Sequence, residues 1–177
     1  MLVDTPPPAF GSSAPDFDLP TPDGARHTRD GVIGPQGLLV AFICNHCPYV
    51  IDLIDRLVAD ATYLQAKGVG VAFIMSNDYT SYPADAPDRM VHFAATHGFT
   101  APYLIDADQS VARAYGAVCT PDFFGYDGAG ALIYRGRLDN IAMRGDATHR
   151  VPELRDAMTL GAPKSQTPSM GCSIKWA

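Results

Sequence analysis

Two short segments of the chain are apolar at nearly every position. Residues 38–43 read LLVAFI, and residues 69–76 read VGVAFIMS. Apolar runs of this length, without polar alternation, are typical of strands that are buried on both faces. The pattern therefore predicts two core strands about thirty residues apart in the chain.

The segment between these two strands has the period of a helix. Its apolar residues recur every three or four positions, at Val50, Ile54, Leu57, Ala61 and Leu64. Proline is tolerated at the first helical position and glycine often ends a helix, so we predict a helix from Pro48 to about Gly68. Strand, helix and strand together predict a parallel pair with a right-handed crossover.

Weaker patterns divide the rest of the chain. Short hairpins are predicted over residues 17–28 and 123–137, each with a turn rich in Asp and Gly. Further elements are predicted as helices over 88–97, 109–115 and 152–160 and as a strand over 103–106. Residues 1–16 are predicted to be an extended lead-in, and residues 161–177 a loop-like tail. This order predicts a single domain over residues 1–177, an α/β sandwich with a mixed central sheet and an N-terminal hairpin extension.

The composition is that of an ordinary globular protein, with 47% hydrophobic and 18% charged residues. The formal net charge is −6 and no Lys/Arg run occurs, so we expect neither nucleic acid nor a membrane as a partner. No segment resembles a membrane span or a secretory signal, and we therefore expect a cytoplasmic protein. In that compartment, four cysteines favour catalysis or metal binding over a disulfide framework.

Cys47 stands directly before Pro48, at the predicted start of the helix. The thiolate is the reactive form of cysteine, and the unpaired N–H groups and dipole of a helix N-terminus stabilise negative charge. The preceding strand would also place Cys47 at the carboxyl end of the sheet, where the active sites of open α/β sheets collect. The sequence therefore predicts a partly exposed Cys47 with a lowered pKa.

Two motifs resemble the thioredoxin superfamily. Residues 39–50 (LVAFICNHCPYV) resemble its active-site strand, loop and helix start, and are most similar to the redoxin branch, which includes alkyl hydroperoxide reductase/thiol-specific antioxidant proteins. Residues 118–124 (VCTPDFF) resemble the Thr-Pro segment of the family, in which a cis-proline packs beside the nucleophilic cysteine. The resemblance implies a thioredoxin-like three-layer α/β/α sandwich. It also implies that the Thr120 backbone aligns a bound peptide or disulfide, while Pro121 shapes the site.

The resemblance allows two registers for the nucleophile. The first aligns Cys44-Asn45-His46-Cys47 with the Cys-x-x-Cys of the family. The second counts from Leu39 in the strand and makes Cys47 the attacking residue, with Val50 in place of the usual second cysteine. We favour the second register because only Cys47 adjoins the predicted helix.

Three residues depart from the patterns of the family. Val50 removes the resolving cysteine of the usual dithiol, and Ala41 replaces the buried acid of thioredoxins. Pro121 replaces the arginine with which peroxiredoxins polarise peroxide. The chain is therefore predicted to be neither an ordinary thioredoxin nor an ordinary peroxiredoxin.

A second thiol normally resolves the intermediate that forms on the attacking cysteine. Cys44 is the favoured resolver, because a Cys-x-x-Cys loop can bring two sulfurs within bonding range. Cys119, close to the Thr-Pro segment, and Cys172, in a tail that could fold back over the site, are the other candidates, and either could instead be inert. His46 could favour the thiolate when it is protonated, or could simply be an exposed loop residue.

We predict a thiol–disulfide oxidoreductase in which Cys47 attacks, Cys44 resolves and a cellular dithiol supplies the electrons. The alternative is a thiol peroxidase with antioxidant activity, in which Cys47 becomes a sulfenic acid. A less favoured hypothesis is a Zn or Cu(I) site built from Cys44, Cys47, His46 and Cys172. No cofactor is expected. The substrate would be a protein or small-molecule disulfide or a peroxide, and a homodimer is compatible with the resemblance.

Overall fold

A computed structural model describes the whole chain, residues 1–177, as ten strands and five α-helices. The strands in chain order are β1 (Leu2–Asp4), β2 (Asp18–Pro20), β3 (Arg26–Thr28), β4 (Gly37–Phe42), β5 (Val69–Met75), β6 (Tyr103–Ile105), β7 (Cys119–Thr120), β8 (Asp122–Tyr126), β9 (Leu132–Tyr134) and β10 (Met170–Ser173). The helices are α1 (Arg29–Val32), α2 (Pro48–Ala66), α3 (Pro87–His97), α4 (Ser110–Tyr115) and α5 (Glu153–Leu160), with a 3-10 turn at Pro83–Asp85. None of these helices combines the length and the apolar character that a membrane crossing requires.

The central sheet has five strands in the order β6-β5-β4-β8-β9. Strands β4, β5 and β6 are parallel, whereas β8 pairs antiparallel with β4 and β9 with β8. All six residues of β4 are buried, which explains why the sequence there is apolar without alternation. The predicted strand–helix–strand unit, its parallel pair and the mixed sheet are confirmed.

Alternate residues of β4 face two different cores. Leu39 and Ala41 pack with the apolar sides of α2, α3 and α5. Leu38 and Val40 point to the opposite face and pack with α4 and with Leu19 of β2. Because side chains alternate along a strand, both faces of the sheet are covered and the fold has three layers.

The N-terminal extension is a hairpin, as the sequence predicts. β2 and β3 pair antiparallel, with Asp18 opposite Thr28. The short α1 that follows has no counterpart among the predicted elements. The Thr28 side chain caps α1 by accepting a hydrogen bond from the Gly31 N–H (3.1 Å).

The C-terminal tail differs from the prediction of a loop over residues 161–177. β10 lies between β1 and β7 in a second, three-stranded antiparallel sheet, with Cys172 opposite Leu2 on one side and Thr120 on the other. Gly171 permits this close pairing, because a Cβ there would lie 2.1 Å from the Thr120 carbonyl oxygen. The prediction is therefore wrong at residues 170–173, and the extended lead-in contributes the strand β1.

Side chains next to this second sheet hold the last residues in place. Gln109, which is buried, donates to the Lys175 carbonyl (2.8 Å) and accepts from the Ala177 N–H (2.9 Å). The Lys175 N–H donates to Asn77 Oδ1 (2.8 Å), and the Arg113 guanidinium lies 4.4 Å from the centre of the Trp176 ring. These contacts keep β10 in register with β7.

A buried ion pair fixes the chain beside β7. Arg135 Nη2 lies 3.0 Å from Asp122 Oδ2, and both side chains are almost fully removed from solvent. The same guanidinium donates to the Gly116 carbonyl (2.7 Å) and lies 4.4 Å from the centre of the Phe124 ring. Asp122 also accepts from the Val118 N–H (3.2 Å), so the pair holds both ends of the 118–122 segment.

Replacement of Asp122 by Ala is expected to lower the free energy of unfolding by about 3–5 kcal/mol, because Arg135 would stay buried without its counter-charge. Urea unfolding followed by circular dichroism measures this loss. The control is Asp88→Ala, whose carboxylate is 76% exposed, and it should cost at most about 1 kcal/mol. Equal stability of Asp122→Ala and the parent would contradict the structural role of the pair.

Candidate active site

The start of α2 carries the candidate nucleophile. Cys47 is the N-cap residue, with extended backbone angles (φ −69°, ψ 121°), and Pro48 follows in the first turn. The Cys47 carbonyl accepts a helical hydrogen bond from the Ile51 N–H (3.0 Å). The Val50 N–H, one of the N–H groups without a helical partner, faces the Cys47 sulfur. The structure thus places Cys47 and Pro48 where the sequence predicts them.

The Thr120–Pro121 peptide bond is cis, and Thr120 contacts both cysteines of the active-site loop. Cys47 Sγ lies 3.1 Å from the Thr120 carbonyl oxygen, to which it donates only in its protonated form, and Cys44 Sγ lies 3.3 Å from Thr120 Oγ1. The two motifs that the sequence singles out therefore meet at one site, although more than 70 residues separate them.

The C-terminal strand brings a third cysteine to this site. The Cys172 N–H and the Cys172 thiol both face the Cys47 sulfur. Cys172 is half-buried, whereas Cys44 and Cys47 are each only 1% exposed. The prediction of a partly exposed Cys47 is therefore wrong. The cause is non-local, because β10 packs over the start of α2 and no local pattern reveals that cover.

The two loop cysteines have opposite pKa shifts. The pKa of Cys47 is lowered to about 4, chiefly by a hydrogen bond from the Cys44 thiol and further by the N–H groups of Cys172 and Val50, although burial opposes them. The same hydrogen bond raises the pKa of Cys44 well above its usual value, and burial and the nearby Asp85 carboxylate add to the rise. Cys47 therefore carries negative charge at a pH at which Cys44 keeps its proton.

Cys119 is placed differently from the other three cysteines. It lies in β7, is fully buried, and its thiol is 3.4 Å from the Pro121 carbonyl, to which it donates. Burial, and then the charge of Asp122, raise the pKa of this thiol. The surroundings of Cys119 are those of an inert thiol, which is one of the two interpretations that the sequence leaves open.

The structure shows a buried carboxylate beside Cys44 that the sequence analysis did not identify. Asp85, in the 3-10 turn, is fully buried. It accepts hydrogen bonds from the Asn45 N–H (2.8 Å) and from Asn77 Nδ2 (2.8 Å), and its Oδ2 lies 2.8 Å from His46 Nδ1. No periodicity or motif in residues 77–87 marks Asp85. The only sequence signal is its place in the loop after the carboxyl end of a core strand.

Further contacts fix the loop between the two cysteines. Asn45 Nδ2 donates to the Ala84 carbonyl (3.0 Å), and the Tyr103 hydroxyl donates to Asn45 Oδ1 (3.0 Å). The His46 ring stacks on the Tyr82 ring, with 5.9 Å between centres and 1° between planes. The His46 side chain is 32% exposed, so it joins the buried network to solvent.

The donor atoms of Cys44, His46 and Asp85 all lie within 4.8 Å of one another. Such a set includes ligand types that Zn²⁺ accepts. The Asp85 oxygens also accept hydrogen bonds from the Asn45 N–H and from Asn77 Nδ2, and the Cys44 thiol donates to the Cys47 sulfur. The three groups are thus joined to the hydrogen-bond network of the cysteine loop.

A family model described as the AhpC/TSA family matches residues 10–135. The chain belongs to the AhpC/TSA family. Among curated proteins, none matches this AhpC/TSA-family sequence significantly.

Several solved structures are similar to this chain. An uncharacterized conserved protein from Geobacillus kaustophilus is 38% identical, with a TM-score of 0.92 over 100% of this chain and 97% of that one. A hypothetical protein from Sinorhizobium meliloti 1021 is also 38% identical, with a TM-score of 0.91 over 98% of both chains. The thioredoxin domain of a thiol-disulfide oxidoreductase from Bacteroides vulgatus is 15% identical, with a TM-score of 0.61 over 73% of this chain and 89% of that one. That last likeness shows the fold alone, and it confirms that this AhpC/TSA-family protein has a thioredoxin-like α/β fold with a mixed sheet.

We expect the reduced protein to hold one thiolate far below neutral pH and to lose it near pH 4, because the pKa of Cys47 is lowered to about 4. Ultraviolet absorbance of the thiolate during acid titration measures this step. Cys47→Ser should abolish it, and Cys44→Ala should move it to higher pH, since the Cys44 thiol makes the largest stabilising contribution.

Cys119→Ala is the control for this titration, because the pKa of the Cys119 thiol is raised and it does not ionise in this range. If the acidic step persisted in Cys47→Ser, the thiolate would belong to another residue.

Proposed function

We propose that this protein is a thiol–disulfide oxidoreductase in which Cys47 is the nucleophile and Cys44 is the resolver. The observation that carries the proposal is the position of Cys47 as the N-cap of α2, where the Cys44 thiol and the N–H groups of Cys172 and Val50 face its sulfur. These contacts lower the pKa of Cys47 to about 4, and the pKa of Cys44 is raised. A thiolate that persists at neutral pH attacks disulfides, while a protonated neighbour stays unreactive until the first step has consumed the charge. Membership of the AhpC/TSA family supports oxidoreductase chemistry.

The reaction has two exchange steps. The Cys47 thiolate attacks one sulfur of the substrate disulfide, forms a mixed disulfide and releases the other half as a thiolate. Cys44 then loses its proton, attacks the Cys47 sulfur and releases the rest of the substrate. The substrate gains two electrons and the protein holds a Cys44–Cys47 disulfide, which a cellular dithiol reduces again.

Cys172 offers a route by which that dithiol reaches the site. The sulfurs of Cys44 and Cys47 are almost inaccessible, whereas Cys172 is half-buried. A Cys47–Cys172 disulfide attacked at Cys172 would expel Cys47, and a thiol of low pKa is the better leaving group. We therefore propose that electrons enter through Cys172 after exchange between the three thiols, and that the protein works in the cytoplasm, where dithiol donors are available.

A groove next to the site supports a substrate of modest size. Its volume is about 410 Å³. Apolar side chains such as Tyr49, Leu53, Met143 and Met170 line it next to Pro121, and the charged side chains of Asp52, Arg56, Arg137 and Asp139 line it as well. Sites for small molecules commonly measure about 300–1,000 Å³ and are mainly apolar. We propose that the groove holds the apolar part of a small disulfide, or one side chain of a peptide, beside Pro121.

One observation favours a thiol peroxidase as the second candidate function. Cys47 is only 1% exposed, and a peroxide is much smaller than a disulfide. Attack on a peroxide would make Cys47 a sulfenic acid, and Cys44 would then form the disulfide and release water. The proline at position 121 weighs against this candidate, since the peroxiredoxin arginine is not present there.

Reduction of a small disulfide, with a dithiol as electron donor, tests the first candidate. Cys47→Ser should fall to the uncatalysed rate because it lacks the thiolate, whereas Cys119→Ser should keep the parent rate because its thiol stays protonated. Full activity of Cys47→Ser would contradict the proposal. Faster turnover of hydrogen peroxide than of any disulfide would favour the peroxidase.

Differential alkylation and mass spectrometry of the mildly oxidised protein identify the resolver. We expect a Cys44–Cys47 disulfide in the parent and a Cys47–Cys172 disulfide in Cys44→Ser, because both thiols face Cys47. If Cys47 stayed reduced while other cysteines paired, the assignment of the nucleophile would be wrong.

A further inference from the structure

Asp85 is a buried carboxylate with an unusual set of partners. It is 0% exposed, and its only ion-pair partner is His46, at 2.8 Å. The other donors to its oxygens are neutral, the Asn45 N–H and the Asn77 amide. A buried charge without a permanent counter-ion is costly, and proteins keep such groups mainly at functional sites.

His46 is the titratable partner of this carboxylate. Its Nδ1 lies 2.8 Å from Asp85 Oδ2, yet this buried nitrogen has no well-aligned hydrogen bond. One ring face stacks on Tyr82, and the side chain is 32% exposed. The ring therefore has one edge against the buried acid and a path to solvent for a proton.

Cys44 is the thiol that needs a proton acceptor. It is 1% exposed, so bulk water does not reach its sulfur, and its pKa is raised, first by the hydrogen bond to Cys47, then by burial, then by Asp85. When Cys47 is in a mixed disulfide, its negative charge is gone, but burial and the charge of Asp85 still oppose ionisation of Cys44. Its sulfur lies within 4.8 Å of a His46 nitrogen and an Asp85 oxygen.

We propose that His46, oriented by Asp85, is the general base that removes the Cys44 proton during the resolving step. This inference rests on the proposed function. In that step the Cys44 proton moves to the imidazole, the Cys44 sulfur bonds to the Cys47 sulfur, and the bond between Cys47 and the substrate breaks. The substrate sulfur leaves with the electron pair as a thiolate, and the half-exposed imidazolium passes its proton to that thiolate or to water.

The role of Asp85 is that of a positioning residue. Its Oδ2 lies 2.8 Å from Nδ1, so the carboxylate attracts and stabilises the imidazolium that forms. The other ionisable groups around the cluster are Cys47, the Tyr103 phenol near Cys44 and Asp85, and Lys175, whose Nζ lies 5.8 Å from the centre of the Tyr82 ring. None of these three groups offers Cys44 a free lone pair. Cys47 is bonded to the substrate in the mixed disulfide, burial raises the pKa of the Tyr103 phenol, and Lys175 Nζ donates to the Ser173 carbonyl (3.1 Å).

The test isolates the resolving step in a Cys172→Ser background, which removes the competing thiol. Dithiobis(nitrobenzoate) is mixed with the reduced protein, and coloured thionitrobenzoate is followed by stopped flow. Attack by Cys47 releases the first equivalent in a second-order phase. Attack by Cys44 on the mixed disulfide releases the second equivalent in a first-order phase, whose rate is recorded from acidic to alkaline pH.

Because a general base gives a rate that bends with pH, the first-order rate of the parent background should show one bend in its pH profile. His46→Gln should be slower by about 10²-fold at neutral pH, the lower end of the usual contribution of a general base, and should rise with hydroxide throughout. The first-order rate of Asp85→Asn should lie between the rates of the parent background and of His46→Gln. Free imidazole in the buffer should restore the rate of His46→Ala in proportion to its concentration, which a purely structural role would not allow.

Two variants control for disturbance of the loop and for the loss of a histidine elsewhere. Tyr103→Phe removes the hydroxyl that donates to Asn45. It should therefore change the first-order rate by the same factor at every pH and leave the pH at which the rate bends unchanged. His92→Gln, at an exposed position in α3, should reproduce the background.

An unchanged pH profile in His46→Gln, or absence of imidazole rescue in a folded His46→Ala, would overturn the proposal. If the proposed function itself is wrong, other variants show it. If Cys44→Ser kept the first-order phase, Cys44 would not be the resolver, and if Cys47→Ser kept the second-order phase, Cys47 would not be the nucleophile.

Discussion

The chemistry of this protein depends on one negative charge held almost out of contact with water. Burial alone raises the pKa of a thiol, so the low pKa of Cys47 exists only because several donors point at its sulfur. Those donors come from different parts of the chain: Cys44 from the loop after β4, Val50 from α2 and Cys172 from β10. The low pKa of the Cys47 thiol is therefore a property of the assembled fold. A fluctuation that lifts β10 would remove one donor and admit water at the same moment.

Two buried carboxylates flank the site, and their partners give them different characters. Asp122 faces Arg135, a permanent cation, and the pair holds the chain beside the cis peptide. Asp85 faces His46, whose charge depends on pH, together with two neutral amide donors. Asp122 supports the geometry on the proline side of Cys47, and Asp85 is the residue to which we assign a proton-transfer role on the cysteine-loop side.

The parts of the fold that the sequence reveals are those with local signals. The apolar run of β4, the helical period of α2 and the Cys-Pro step were sufficient to place Cys47 at a helix start on the correct edge of the sheet. β10 was not predicted because the sequence of Met170–Ser173 is neither continuously apolar nor alternating between apolar and polar residues. The segment is a strand only through its pairing with β1 and β7. The burial of Cys47 was missed for the same reason. Asp85 was missed because its environment is created by a loop that packs on another loop, which leaves no periodicity in the sequence.

The anchoring of the last residues has a practical consequence. The chain contains a single tryptophan, Trp176, and its ring lies under the Arg113 guanidinium, four positions after Cys172. Any movement of the strand that carries Cys172 must also disturb this stacked pair. The intrinsic emission of the protein is therefore an internal optical reporter of whether β10 is packed over Cys47, and it needs no added label.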